Sequence, residues 1–218
     1  MILSNVTKAY GDKKIFDGFS ASFEKNKITA ILGESGSGKT TLLKMVAGLT
    51  DFTGEISESE RPISMVFQEN RLIKNLTVEE NLRLVIPDAD VKSILKSVGL
   101  KDVEKLYPKQ LSGGMARRMA IARAIYFPSK TLLLDEPFNS LDVAVKYYIA
   151  QNIKNIGERK PRTVLFVTHD VSEAVGLADR IILLSDGKIK EDVDNITDGT
   201  EKRLREALFM AGKEKAGF

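Results

Sequence analysis

Short apolar runs, most of them ended by a glycine, a carboxylate or a polar pair, alternate along this chain with stretches of helical spacing. Residues 2–7 and 15–23 read as strands, the second carrying Phe16, Phe19 and Phe23 among polar neighbours, with Tyr10, Gly11 and Asp12 at the turn between them. Residues 27–32 read as a buried strand and 41–47 as a helix closed by Gly48; strands at 54–57 and 62–67 follow. The pattern then turns helical from 77 to about 105. It opens with a capping box at Thr77 and Glu80, and places Val78, Leu82, Val85 and Ile86, then Val91, Ile94, Leu95 and Val98, at helical spacing. Gly99 and Pro108 punctuate this block. The second half predicts helices at 112–125, 143–156, 172–178 and 203–211, and strands at 131–134, 163–168 and 180–184, with Gly187 turning into a last edge strand. Strands alternating with helices predict an α/β fold with a mostly parallel sheet covered on both faces, interrupted by an all-helical insertion.

Composition narrows the picture only a little. At 218 residues, with 43% hydrophobic and 29% charged positions, the chain has ample core for one large α/β domain. No apolar run approaches the roughly 18 residues needed to span a bilayer. The first five residues lack the basic start and long apolar stretch of a signal peptide. The absence of cysteine excludes disulfides and thiolate metal sites and fits a cytoplasmic setting. A net charge of +3 is explained by a lysine-rich surface, and no nucleic-acid partner is expected.

The chemistry begins between the strand 27–32 and the helix 41–47. Gly33, Glu34, Ser35, Gly36, Ser37, Gly38, Lys39, Thr40 and Thr41 fit the pattern G-x-x-x-x-G-K-[ST] in its proper strand–helix setting. Glycines let successive N–H groups converge on phosphate oxygens, and the helix points its positive end at the same anion. Lys39 is expected to reach the β- and γ-phosphates of a nucleotide, and the Thr40 hydroxyl to hold Mg²⁺. Leu132, Leu133 and Leu134 run into Asp135, which alone reads as a helix cap, but beside a phosphate loop reads as a Mg²⁺ contact. Adjacent Glu136 makes a carboxylate pair that repels unless a cation or a reaction uses it, so hydrolysis is expected, with Glu136 accepting a proton from the attacking water. His169, the only histidine, follows the strand 163–168 at the same sheet edge, where it could donate to the γ-phosphate or the water; otherwise it is a surface or capping residue. Gln68 ends another strand there, and its amide could touch both metal and water. Tyr10 is a half-buried turn aromatic or an adenine-stacking face. Ser112, Gly113 and Gly114 open the Arg-rich helix as a second anion cradle, more than one triphosphate needs, and its economical use is on the nucleotide of a partner subunit.

Taken together, the phosphate loop, Gln68, Leu111-Ser-Gly-Gly, Leu-Leu-Leu-Asp-Glu, Leu141-Asp142 and Thr-His-Asp resemble the ATP-binding cassette family over nearly the whole chain. The resemblance implies a P-loop NTPase core with an antiparallel β edge and an inserted helical subdomain. It assigns 1–68 and 127–218 to the core and 69–126 to the subdomain. It implies Tyr10 as the adenine-stacking aromatic, Gln68 as the Q-loop glutamine and Glu136 as the catalytic base. Ser112 and Gly114 become signature residues acting in trans, Asp142 the D-loop residue and His169 the switch histidine. It further implies ATP and Mg²⁺ as ligands and a head-to-tail homodimer. That dimer would sit on an integral membrane permease at the inner face of the cell membrane, with a solute-binding protein in the complex. Met115 departs from the usual signature glutamine, and Asn139-Ser140 from the commoner Ser-Ala. Met115 and Glu136-Pro-Phe resemble importers for nitrate, sulfonates, taurine and similar small anions. A soluble cassette ATPase of DNA repair or translation, and a lipid or lipoprotein exporter, are the alternatives.

Overall fold

The computed structural model describes residues 1–216; the last two positions of the expected core, 217–218, lie outside the described residues. Its elements follow the chain as β1 (Ile2–Tyr10), β2 (Lys13–Ser22), β3 (Ile28–Leu32), α1 (Lys39–Ala47), β4 (Thr53–Ser57), β5 (Ile63–Val66), α2 (Val78–Arg83), α3 (Val91–Ser97), α4 (Gly113–Tyr126), β6 (Thr131–Asp135), α5 (Val143–Arg159), β7 (Thr163–Thr168), α6 (Val171–Leu177), β8 (Arg180–Ser185), β9 (Lys188–Val193) and α7 (Thr200–Ala216), with a 3₁₀ turn at Pro108–Gln110.

A sheet in the order β5-β6-β7-β3-β8-β9 forms the centre. Its strands are parallel except for the β8–β9 pair. The central strands are mainly apolar because both of their faces are buried, with Thr29, Thr131, Thr163, Thr168 and Asp135 among their buried polar positions. Leu132 and Leu134, Val164 and Phe166, and Ile181 and Leu183 join one hydrophobic cluster with α4, α5 and α6. The alternate positions Leu133, Leu165, Val167, Ile182 and Leu184 join a second with α1 and the antiparallel sheet β2-β1-β4. Period-two alternation of side chains thus divides one sheet between two cores.

The helical stretch is broken more than its periodicity predicts. Instead of one pattern from 77 to 105, α2 ends at Arg83 and α3 starts at Val91. Pro87 cannot donate to a helix ladder and disfavours helical geometry in the residue before it, and the Asp90 carboxylate restarts the helix by accepting from Ser93 N at 3.2 Å. The capping box at the start is as expected: Thr77 Oγ1 accepts from Glu80 N at 3.2 Å and Glu80 Oε2 accepts from Thr77 N at 2.7 Å.

Phe166→Ala, in the middle of β7 and fully buried, is expected to destabilise the fold by about 3–5 kcal/mol. Leu84→Ala, on the surface, should shift it by no more than about 0.5 kcal/mol. Denaturant unfolding midpoints check both.

Candidate functional site

Parallel pairing decides which residues meet. Leu32 lies opposite Thr168, Asp135 opposite Val167 and Val66 opposite Leu134, so β3, β7, β6 and β5 all end at one edge. The segments that follow carry Gly33, His169, Glu136 and Gln68, and the carboxyl ends of such strands are where an α/β sheet binds ligands.

The loop between β3 and α1 is shaped by close backbone approaches. A Cβ on Gly33 would run into the Leu184 carbonyl and the Ser37 hydroxyl, and one on Gly38, at φ 106°, into the Phe16 ring. Only glycine fits either place. Gly38 leads into α1 with no side-chain cap on the helix start, the arrangement an incoming anion completes. Lys39 is buried, its Nζ donating to the carbonyls of Gly33 and Glu34 at 2.7 Å each, which curls the ammonium over the loop. A cleft of about 290 Å³ opens here, lined by Ser35, Gly36, Gly38, Lys39, Thr40 and Thr41 from the loop, by Gln68 and Glu136 from the strand ends, and by Lys13 and Ile15 from β2.

Thr40 Oγ1 donates to Asp135 Oδ1 at 2.9 Å. Burial pushes the Asp135 carboxyl above the usual carboxylate range; the bond from Thr40 works against that, and the charge of Glu136 adds to it. A desolvated carboxylate beside a hydroxyl, with the Gln68 amide at the same cleft, is a hard oxygen donor set that fits a divalent cation. Glu136 is the next residue, at φ 45°, a conformation uncommon outside glycine. Its N–H is held by the Val167 carbonyl at 3.1 Å. Its carboxylate accepts from Asn139 Nδ2 at 3.1 Å and lies 3.5 Å from His169 Nδ1. The His169 loop is pinned in turn: Thr168 Oγ1 donates to Glu173 Oε2 at 2.6 Å, and Glu173 Oε1 accepts from Lys146 on α5 at 2.7 Å.

This arrangement can bind a polyphosphate, hold a cation at its end and present a carboxylate to a water. The family model described as ABC transporter matches residues 16–139. The chain belongs to the ABC transporter family. It is 40% identical over 205 residues to the aliphatic sulfonates import ATP-binding protein SsuB of Bacillus cereus, covering 87% of this chain and 82% of that one. It is 37% identical over 213 residues to the sulfate/thiosulfate import ATP-binding protein CysA 1 of Agrobacterium fabrum, covering 87% of this chain and 62% of that one. Among solved structures it superposes on a dimeric bacterial ABC transporter cassette, MJ0796, with a TM-score of 0.79 and 31% identity, covering 88% of this chain and 97% of that one. The same cassette bound to ADP and Pi gives 0.78 and 30%.

Seen as an ABC cassette, the chain splits its expected site residues into two sets. Ser35, Gly36, Gly38, Lys39, Thr40, Thr41, Gln68 and Glu136 line the cleft, and Gly33, Ser37 and Asp135 build its floor. Glu34 and His169 line a neighbouring hollow against α6 and α7. Tyr10 does not line the cleft but stands half exposed at the end of β1, with Lys8 Nζ 4.7 Å from its ring centre. Ser112, Gly113, Gly114 and Asp142 are not brought to the cleft. Ser112 caps α4, its Oγ accepting from Met115 N at 3.2 Å, and Asp142 stands exposed at the start of α5. Met115 packs partly buried against the hydrophobic core, which explains a thioether in place of an amide.

Three positions that shape the site escaped the sequence reading. Lys13 adds a cation to the cleft wall, and only its pairing opposite Tyr10 in the β1–β2 hairpin puts it there. Asn81 is buried and orders the segment after Gln68, its amide bonding the backbone of Ile73, Leu76 and Thr77 at 2.9–3.1 Å. A polar residue on the apolar face of α2 was the available signal. Arg117, the third, is taken up below.

Gly33→Ala forces the loop away from Leu184 and should weaken ATP binding at least about tenfold, or ~1.4 kcal/mol, as isothermal titration calorimetry would measure. Binding at wild-type strength would refute the close-packing account of the loop.

Proposed function

We propose that this chain is the ATP-hydrolysing subunit of a membrane importer for small solutes, with small sulfur oxyanions or sulfonates as the favoured cargo class. The observation that carries the reading is the convergence, at one sheet edge, of the Thr40–Asp135 contact at 2.9 Å with Glu136 and His169 3.5 Å apart. The import function named for the relatives supports the cargo class.

In this reading the amides of 33–38 and Lys39 bind the phosphates of ATP, and Tyr10 with Lys13 and Ile15 flank the base and sugar side. Thr40, Asp135 and Gln68 hold Mg²⁺, which when bound neutralises charge on the β- and γ-phosphates. Glu136 accepts a proton from the water that attacks the γ-phosphorus, and His169 orients water and phosphate. The left-handed turn at Glu136 aims its carboxylate at the cleft while Asp135 stays below it.

The signature residues act in trans. Gly113 is exposed, and a Cβ there would meet nothing within 4 Å; a Cβ on Gly114 would meet the Ser140 carbonyl only at 3.8 Å, an ordinary contact. Nothing among the described residues demands glycine at either place, although each weakens a helix start by up to about 1 kcal/mol relative to alanine. Close approach of a partner's nucleotide supplies the demand, so the working form is a head-to-tail homodimer, and the dimeric relative is in keeping with this. We assign 1–68 and 127–218 to the nucleotide-binding core and 69–126 to a subdomain that swings the signature. No helix among the described residues is long and apolar enough to cross a membrane. The import function named for the relatives supports a dimer that works on a separate permease at the cytoplasmic face, in a complex with a solute-binding protein.

Glu136→Gln is expected to bind ATP, dimerise and stop turning over; light scattering showing a monomer at saturating ATP would refute the shared site. Gly113→Ala should leave thermal stability unchanged or slightly raised and yet reduce ATP turnover at least about tenfold, a transition-state loss of ~1.4 kcal/mol. Full activity in that variant would remove the trans role of the signature.

A further inference from the structure

Arg117 is a buried charge that none of the roles above uses. It sits on α4, five residues after Ser112, at 4% exposure. Its guanidinium is spent on main-chain carbonyls of two separate loops. Nε donates to Pro137 O at 3.0 Å, and Nη2 donates to Asp135 O at 2.7 Å and Glu136 O at 2.6 Å. Nη1 donates to Gln68 O at 3.3 Å and to Phe67 O. One side chain therefore gathers three consecutive carbonyls around the left-handed Glu136 and ties them to the turn that carries Gln68.

Such a contact is costly to keep without a purpose. Burial pulls the Arg117 pKa down, with the charges of Asp135 and Glu136 opposing the shift. Its neighbours on α4 hold the other side: Arg118 donates to the carbonyls of Val98 and Gly99 beyond α3, and Arg123 to that of Arg71. The helix is thus moored to the rest of the insertion by two arginines and to the strand-end loops by the third. From Ser112 to Arg117 is about 7.5 Å of rigid helix.

We propose that Arg117 is the positioning residue through which α4, when its Ser112 end engages the partner's nucleotide, sets the placement of Gln68 and Glu136 in its own subunit. The inference rests on the composite-site reading given above. It makes α4 a lever between two reaction sites: closure on one nucleotide moves the carbonyl anchors of the base that acts on the other. Coupling of this kind is reciprocal for binding, and a misplacement of about 1 Å is enough to cost a hundredfold in rate. Arginine is required because its five donors lie in a fixed fork that spans both loops; a lysine ammonium keeps the charge but reaches only one.

The test uses the full-length chain. In Arg117→Lys the chain should still unfold cooperatively and bind ATP within about twofold of wild type, and a Glu136→Gln/Arg117→Lys double variant should still dimerise with ATP. Turnover at saturating ATP should nevertheless fall about 10- to 100-fold with the half-saturating concentration little changed. The Hill coefficient should drop from ~2, the number of sites, toward ~1. Arg117→Ala should be worse in every respect, misfolding included. Wild-type turnover and cooperativity in a folded Arg117→Lys would overturn the inference, as would a loss of stability with cooperativity intact. If Glu136→Gln alone stays monomeric at saturating ATP, the composite site fails first and the lever with it.

Discussion

Hydrogen bonding between parallel strands is the constraint on which the site depends. Because β3, β5, β6 and β7 run the same way, their ends fall at one edge, and residues 33, 68, 136 and 169 of the chain arrive within one cleft and its rim. The sheet can keep that register because both faces are buried, which fixes each strand against slippage from two sides. The phosphate loop then needs only small residues to bend over the edge, and Asp135 is held below it by the burial of its own strand.

Polar contacts rather than apolar ones locate the loops around the cleft. Asn81, Arg117, Arg118 and Arg123 all bond main-chain carbonyls, and between them they connect the insertion, the Gln68 turn and the Glu136 turn. Directional bonds of this kind fix where a loop sits and hold it rigidly in place. The Lys146–Glu173–Thr168 chain does the same for the His169 loop and the start of α5.

Much of this was legible from residue order, because strands buried on both faces read as plain apolar runs and the phosphate-loop pattern carries its own backbone requirements. The expected strands and helices all occur, mostly with ends displaced by a few residues, and α7 begins three residues before its expected start. The insertion was read less well. Its periodicity showed an apolar face at 78–86 and another at 91–98, but Pro87 and the Asp90 cap, which divide them, carry little weight in a hydrophobic pattern. Within the site, motif residues were visible because a phosphate-binding loop and a cation-binding carboxylate each call for particular residue types. Lys13, Asn81 and Arg117 were not, since each matters through a neighbour distant in sequence. A lysine opposite Tyr10 or an arginine under Glu136 is a fact of folding rather than of spacing.

The division of the sheet between two hydrophobic compartments bears on how such a protein can change over time. Leu132, Leu133 and Leu134 are adjacent, yet the middle one belongs to a different interior from its neighbours. A single inserted or deleted residue in β6 would turn every side chain after it into the wrong compartment and carry Asp135 out of reach of Thr40. Length variation is therefore shut out of the strands and diverted to the segments between them, chiefly the insertion. That leaves the segments between the strands free to diversify around an engine whose dimensions cannot.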